Sequence, residues 1–112
     1  MDEFSWFVGL YEGEGCLQKD GKNIALEIGM TDEDVIARAS KFVGVKYKCI
    51  HRKNEKHRDL YRFRVRGGCN RGKLYDLLMK MKPYLSKRRQ EQIDNKLNML
   101  RETQVYGHRY GI

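Results

Sequence analysis

The sequence predicts an α+β fold in which helices cover one face of a four-stranded antiparallel sheet. Three observations predict it. Apolar residues recur at helical spacing in four separate segments. Two stretches between them alternate and turn like hairpins. The second hairpin carries apolar side chains on one side and arginine and lysine on the other, the pattern of a sheet with one covered and one bare face. The predicted order is helix, two strands, helix, two strands, two helices (αββαββαα), within one domain spanning residues 1–112.

The first helix covers residues 3–13. Phe4, Phe7, Val8 and Tyr11 fall at i, i+3, i+4 and i+7, and Trp6, Gly9, Leu10 and Gly13 repeat that spacing on the other side. A helix that is apolar or small nearly all round is buried on both sides. A second copy of the chain would cover the second side, and glycines four apart let two helix backbones approach closely. Gly13 and Gly15 end the helix. Residues 16–19 and 23–30 read as strands joined by the turn signal Asp20-Gly21, with Ile24, Leu26, Ile28 and Met30 on one face. Glu27 lies on the opposite face, where it can accept from cytosine or exclude a wrong partner.

Thr31 is the candidate N-cap of a second helix. Asp32, Glu33 and Asp34 suit its first turn, Val35, Ile36, Ala39, Phe42 and Val43 form its stripe, and Gly44 ends it. Residues 45–52 and 59–66 form the second hairpin, joined by a polar tip at 53–58. Tyr61, Phe63 and Val65 face one way, and Arg62, Arg64 and Arg66 the other. On the partner strand Val45, Tyr47 and Cys49 oppose Lys46 and Lys48. Residues 70–82 form a helix with Leu74, Leu77, Leu78 and Met81 inward. After Pro83 the last helix spans 86–102, with Ile93, Leu97 and Leu100 inward. The tail, 103–112, has no clear period and reads as a frayed terminus.

Composition narrows the function. The 112 residues are 40% hydrophobic and 11% aromatic, too apolar for a disordered chain. No apolar run approaches the ~20 residues that span a bilayer. The N-terminus lacks a secretory pattern, and three widely spaced cysteines make no disulfide framework, so the expected setting is a reducing, intracellular one. The net charge is +8, and it is concentrated. Residues 46–73 hold eleven lysines and arginines, Arg52 among them, against Glu55 and Asp59. That stretch carries +9 and the rest of the chain −1. Localised basicity alternating with apolar residues is the footprint of a nucleic-acid surface. Arg62, Arg64 and Arg66 are candidate base readers, and Lys46 and Lys48 candidate phosphate contacts.

Glu12 and Glu14 sit at the C-terminal end of an apolar helix, where the dipole disfavours anions. A divalent metal held by carboxylate oxygens and backbone carbonyls would compensate. Carboxylates, a metal and a polyanion-facing sheet together suggest metal-assisted phosphodiester hydrolysis. A zinc module on Cys49, His51, His57 and Cys69 is disfavoured, because Cys49-x-His51 lacks the usual spacing and no CxxC occurs. The cysteines are expected as small core residues.

The segment Trp6-Phe7-Val8-Gly9-Leu10-Tyr11-Glu12-Gly13-Glu14-Gly15-Cys16-Leu17 resembles the signature helix of the LAGLIDADG homing endonucleases, about 3–15 in this chain. Gly9, Leu10 and Gly15 match outright, both acidic positions are kept as Glu12 and Glu14, and Gly13 replaces alanine. The family's element order agrees with the one above across nearly the whole chain.

The resemblance implies a site-specific double-strand DNA endonuclease. Single-motif members act as homodimers, with signature helices pairing, which puts Trp6, Gly9, Leu10 and Gly13 in the interface. Glu14, with Gly13 beside it, would hold the divalent ion (magnesium, or another such as manganese), while Glu12 is structural. The sheet would lie in the major groove of a long, partly palindromic site through Arg62, Arg64, Arg66, Lys46, Lys48 and Arg52, with Gln18 and Lys19 on the first hairpin. Cleavage would leave short 3′ overhangs. Pro83-Tyr84-Leu85-Ser86-Lys87-Arg88 resembles the junction that supplies a basic catalytic residue, making Arg88 or Lys87 the candidate. No small-molecule substrate and no membrane are implied. The alternative is a non-cleaving nucleic-acid binder of the same fold, an intron maturase or a DNA-binding regulator.

Overall fold

In the computed structural model, residues 2–51 and 58–110 are described, 101–110 by backbone alone. The order is α1 (Glu3–Glu14), β1 (Gly15–Asp20), β2 (Asn23–Met30), α2 (Glu33–Val43), β3 (Lys48–Ile50), β4 (Leu60–Arg66), α3 (Arg71–Met81), a 3₁₀ turn (Lys82–Tyr84) and α4 (Lys87–Tyr110). The strands form one antiparallel sheet in the order β1-β2-β4-β3. This is the α+β arrangement that the periodicities predict. Among the described residues no helix is long and apolar enough to cross a membrane.

The described residues fall into two compact units. The first comprises residues 2–16 and 26–65. Asp2 caps α1, its carboxylate accepting from the Ser5 amide at 2.7 Å. Phe7, Val8 and Tyr11 are buried, and Phe7 stacks at 5.1 Å on Phe42 of α2. Ile36, Ala39 and Val43 complete the buried stripe of α2. Asp32, not Thr31, takes the N-cap position. Gly44 ends α2 at φ 74°, its amide donating to Ser40 and Lys41 while that of Val45 donates to Ser40. Phe63 and Val65 on β4 are buried, whereas Arg64 is exposed.

The second unit comprises residues 17–25 and 66–110. The hairpin turn is Gly21-Lys22. Gly21 has φ 61° and no other turn residue has positive φ, the glycine-first arrangement rather than the Asp-Gly one. Gly67 donates to the Ile24 carbonyl at 2.8 Å, and a Cβ there would lie 2.9 Å from that oxygen, so only glycine fits. Leu74, Leu78, Met81, Leu85, Ile93 and Leu100 are buried, while Leu77 and Leu97 are half-buried. Ser86 caps α4 through the Arg89 amide.

Three further expectations need correction. β3 is three residues long rather than eight, so Val45, Lys46 and Tyr47 precede the ladder. The last helix continues beyond residue 102 to Tyr110, past the point where the apolar period stops. Cys16, Cys49 and Cys69 are all exposed thiols rather than core residues: Cys16 alternates to the open side of β1, Cys49 lies on the short end strand β3, and Cys69 falls in the turn after β4.

Candidate nucleic-acid interface and cation site

Strand alternation along β4 puts Arg62, Arg64 and Arg66 on the face opposite Phe63 and Val65. Lys48 stands directly across from Arg62, so it shares that face. The guanidiniums are not bare. Glu27, the acid on β2, takes Nε of both Arg62 (3.1 Å) and Arg64 (3.0 Å) on one carboxylate oxygen. Asp20, at the end of β1, holds Arg66 through Nε (2.8 Å) and Nη2 (3.0 Å). This paired hydrogen bond raises the Arg66 guanidinium above its usual value. Each pair is at least partly solvent-exposed, so its role is to aim the guanidiniums more than to stabilise the fold. Sequence reasoning placed Glu27 on the right face but missed its grip on two arginines. The available signal was its position as the single acid within an otherwise apolar strand.

The other basic candidates divide. Gln18 lies on the same side of β1 as Asp20 and is exposed. Lys19 points to the opposite side, where it lines a shallow cleft with Lys22, Met99 and Leu100 and does not join the Asp20–Arg66 face. Lys46 is exposed but precedes β3. Arg52 and His57 lie outside the described residues. Lys87 and Arg88 are exposed at the start of α4, whereas Arg89 is buried and donates to Gln92 at 3.1 Å. Before them, Lys82 pairs with Asp94 and anchors the junction to α4.

α1 presents its second face outward. Gly9 and Gly13 are exposed and Leu10 half-buried. Trp6 is half-buried beneath the Arg38 guanidinium, 4.0 Å from its ring centroid, and Arg38 also pairs with Glu3. The glycines of α1 have different reasons. At Gly15 a Cβ would overlap the Tyr11 ring and approach the Tyr11 carbonyl to 2.7 Å, so the fold itself demands glycine. At Gly9 and Gly13 a Cβ would meet nothing within 4 Å. Among the described residues no contact at these two positions offsets the roughly 0.5–1 kcal/mol that each helical glycine costs.

Glu14 is the last residue of α1 and is exposed. The last turn holds no basic residue. The Gly15 amide donates to the Tyr11 carbonyl, and the carbonyls of Gly13 and Glu14 lie at this end of the helix. A carboxylate beside main-chain carbonyls is a hard-oxygen donor set, which fits magnesium or manganese. Among the described residues, Glu14 joins no group of three metal-ligating side chains.

The comparisons with known proteins bear on the fold. No protein-family model matches the chain, and no curated protein matches it. Solved structures do. A homing endonuclease, I-TnaI, superposes with a TM-score of 0.67 at 19% identity, over 96% of this chain and 77% of that one. An archaeal intron-encoded homing endonuclease, I-Vdi141I, solved in complex with DNA, gives 0.60 at 14% identity. That match covers 78% of this chain and 60% of the other. The chain has the homing-endonuclease fold.

Proposed function

We propose that this chain is a site-specific DNA endonuclease that acts as a homodimer with a divalent metal ion. The observation that carries the reading is α1. Its outward face is apolar and carries two glycines at which a Cβ would meet nothing within 4 Å among the described residues, and it ends on an exposed carboxylate at the negative pole of the helix. Pairing two copies of α1 across a two-fold axis covers that face and brings two Glu14 carboxylates to the axis. The homing-endonuclease fold and the solved DNA complex of one neighbour support DNA as the substrate.

The roles divide by chemistry. Glu14 and the Gly13 carbonyl would hold the ion, magnesium or manganese, which supplies a polarised water and charge stabilisation at the phosphate. Arg62, Arg64 and Arg66, with Lys48, contact the major groove, and their acidic partners preset the guanidinium directions. Lys46 and Arg52 add phosphate contacts. Arg88, with Lys87 beside it, neutralises charge developing on the attacked phosphate. Cutting both strands from two symmetry-related centres would leave short 3′ overhangs on a long, partly palindromic site.

The deciding experiment is a cleavage assay on DNA from the native locus and its uninterrupted counterpart, with and without magnesium. Magnesium-dependent double-strand cuts at one sequence are expected. Specific binding with no cuts, manganese included, would overturn the endonuclease reading and leave a maturase or regulator of the same fold.

A further inference from the structure

Cys49, His51 and Asp59 bring one metal-ligating atom each to within 4.8 Å of one another. The placement follows from strand geometry. Cys49 and His51 are two residues apart, so they share a side of the chain. β3 pairs antiparallel with β4, Cys49 opposite Tyr61 and Ile50 opposite Leu60. One step further along that register, Asp59 stands opposite His51, whose Nδ1 lies 3.3 Å from Asp59 Oδ2. The cluster faces away from Lys48 and Arg62, which alternate to the other side of the ladder. Cys49 and His51 are exposed and Asp59 partly so, leaving solvent free to complete a coordination shell.

We propose that Cys49, His51 and Asp59 form a binding site for a borderline transition-metal ion, zinc above all, separate from the cation site at Glu14. The donor set decides the class. Thiolate, imidazole and carboxylate are all zinc ligands, and three protein ligands plus water complete a tetrahedron. Magnesium and calcium take oxygen donors and have no use for the thiolate. The size agrees. Bonds of about 2.0–2.3 Å in a tetrahedron put ligand atoms roughly 3.3–3.8 Å apart. His51 and Asp59 already meet that spacing, and the widest separation closes by a shift of about 1 Å, within the reach of exposed side chains.

An acid of α2 reaches the segment that precedes the cluster. Glu33 accepts from the Tyr47 hydroxyl at 3.0 Å. A bound ion would tie β3 to β4 where the three-residue ladder stops, so it would stabilise the chain by mass action.

The test titrates reduced protein with cobalt(II) alone, without DNA, so its result is independent of the endonuclease reading. We expect one equivalent to bind, with a thiolate-to-cobalt charge-transfer band and visible ligand-field bands, both erased by zinc. Cys49→Ser should abolish the charge-transfer band. His51→Ala and Asp59→Asn should each weaken binding at least about tenfold, while Cys16→Ser and Cys69→Ser leave it unchanged. On the unaltered protein, zinc should protect Cys49 from alkylation, read by mass spectrometry. Absence of the band, its survival in Cys49→Ser, or unprotected Cys49 would each overturn the proposal.

Discussion

Gly9→Ala separates the interface reading from every account in which α1 serves the single chain. A Cβ at Gly9 meets nothing within 4 Å. The folded monomer therefore gains the helix-propensity difference between glycine and alanine, about 0.8–1.0 kcal/mol. In a chain of this size that raises Tm by about 4 °C. In a two-fold pairing of α1 the same methyl enters a close backbone contact twice. Overpacking costs about 1–3 kcal/mol per insertion, so the dimer weakens by roughly 2–6 kcal/mol, thirty-fold or more in its dissociation constant. The effects have opposite signs, which a general loss of structure does not reproduce.

Sedimentation equilibrium over a concentration series reads the dimer, and thermal unfolding at low concentration reads the monomer. Gly9→Leu should abolish the dimer with a still-folded monomer. Gly15→Ala is the internal control: its methyl runs into Tyr11, so it should lower stability at every concentration. A Gly9→Ala protein that dimerises as tightly as the parent would refute the reasoning, as would a parent that stays monomeric at all concentrations.

Glu14→Gln keeps size and removes charge, so DNA binding should survive while the cleavage rate falls to background; normal cutting would remove Glu14 from the ion. Arg64→Ala should cost about 1–3 kcal/mol at the preferred site and relax discrimination there, checked by a binding titration against a library of single-base variants. Glu27→Gln frees Arg62 and Arg64 from their shared carboxylate. Non-specific DNA affinity should rise, and the slope of log K against log salt should steepen by about 0.9; an unchanged slope would mean the pair makes no phosphate contact. Asp2 and Glu3 lie below their ordinary values of 3.8 and 4.5, through the Ser5 amide and Arg38 respectively. Their stabilisation is complete above those values and is lost as pH falls through the lower folded-state ones. Glu3→Gln should therefore flatten the acid limb of the stability curve, followed by circular dichroism.

The order of elements was legible because each element repeats one local period over many residues, as Tyr61 to Arg66 do. β3 was overestimated because Val45 to Tyr47 alternate as well as any strand. Alternation reports where side chains point and not whether a neighbouring strand supplies hydrogen bonds. The same limit explains the site. Motif spacing singled out Glu14 and the second face of α1 as candidates, both local to one helix. The Glu27–Arg62–Arg64 group and the Cys49–His51–Asp59 group span 37 and 10 residues of chain and depend on register, which periodicity does not encode.

Register also changes what the basic stretch means. Residues 46–73 sum to +9 in sequence, yet acids from outside the stretch reach its three comb arginines: Glu27 takes two and Asp20 the third. The comb is thereby a set of aimed, partly neutralised forks. A bare row of guanidiniums would bind any phosphate backbone with a long-range, salt-sensitive pull and little preference. Guanidiniums that must exchange a carboxylate for a new acceptor gain only where that acceptor is as well placed, as guanine O6 and N7 are for a bidentate fork. Aspartate and glutamate on such a surface lower affinity and raise discrimination, because a wrong base leaves the carboxylate pair intact and contributes nothing in its place.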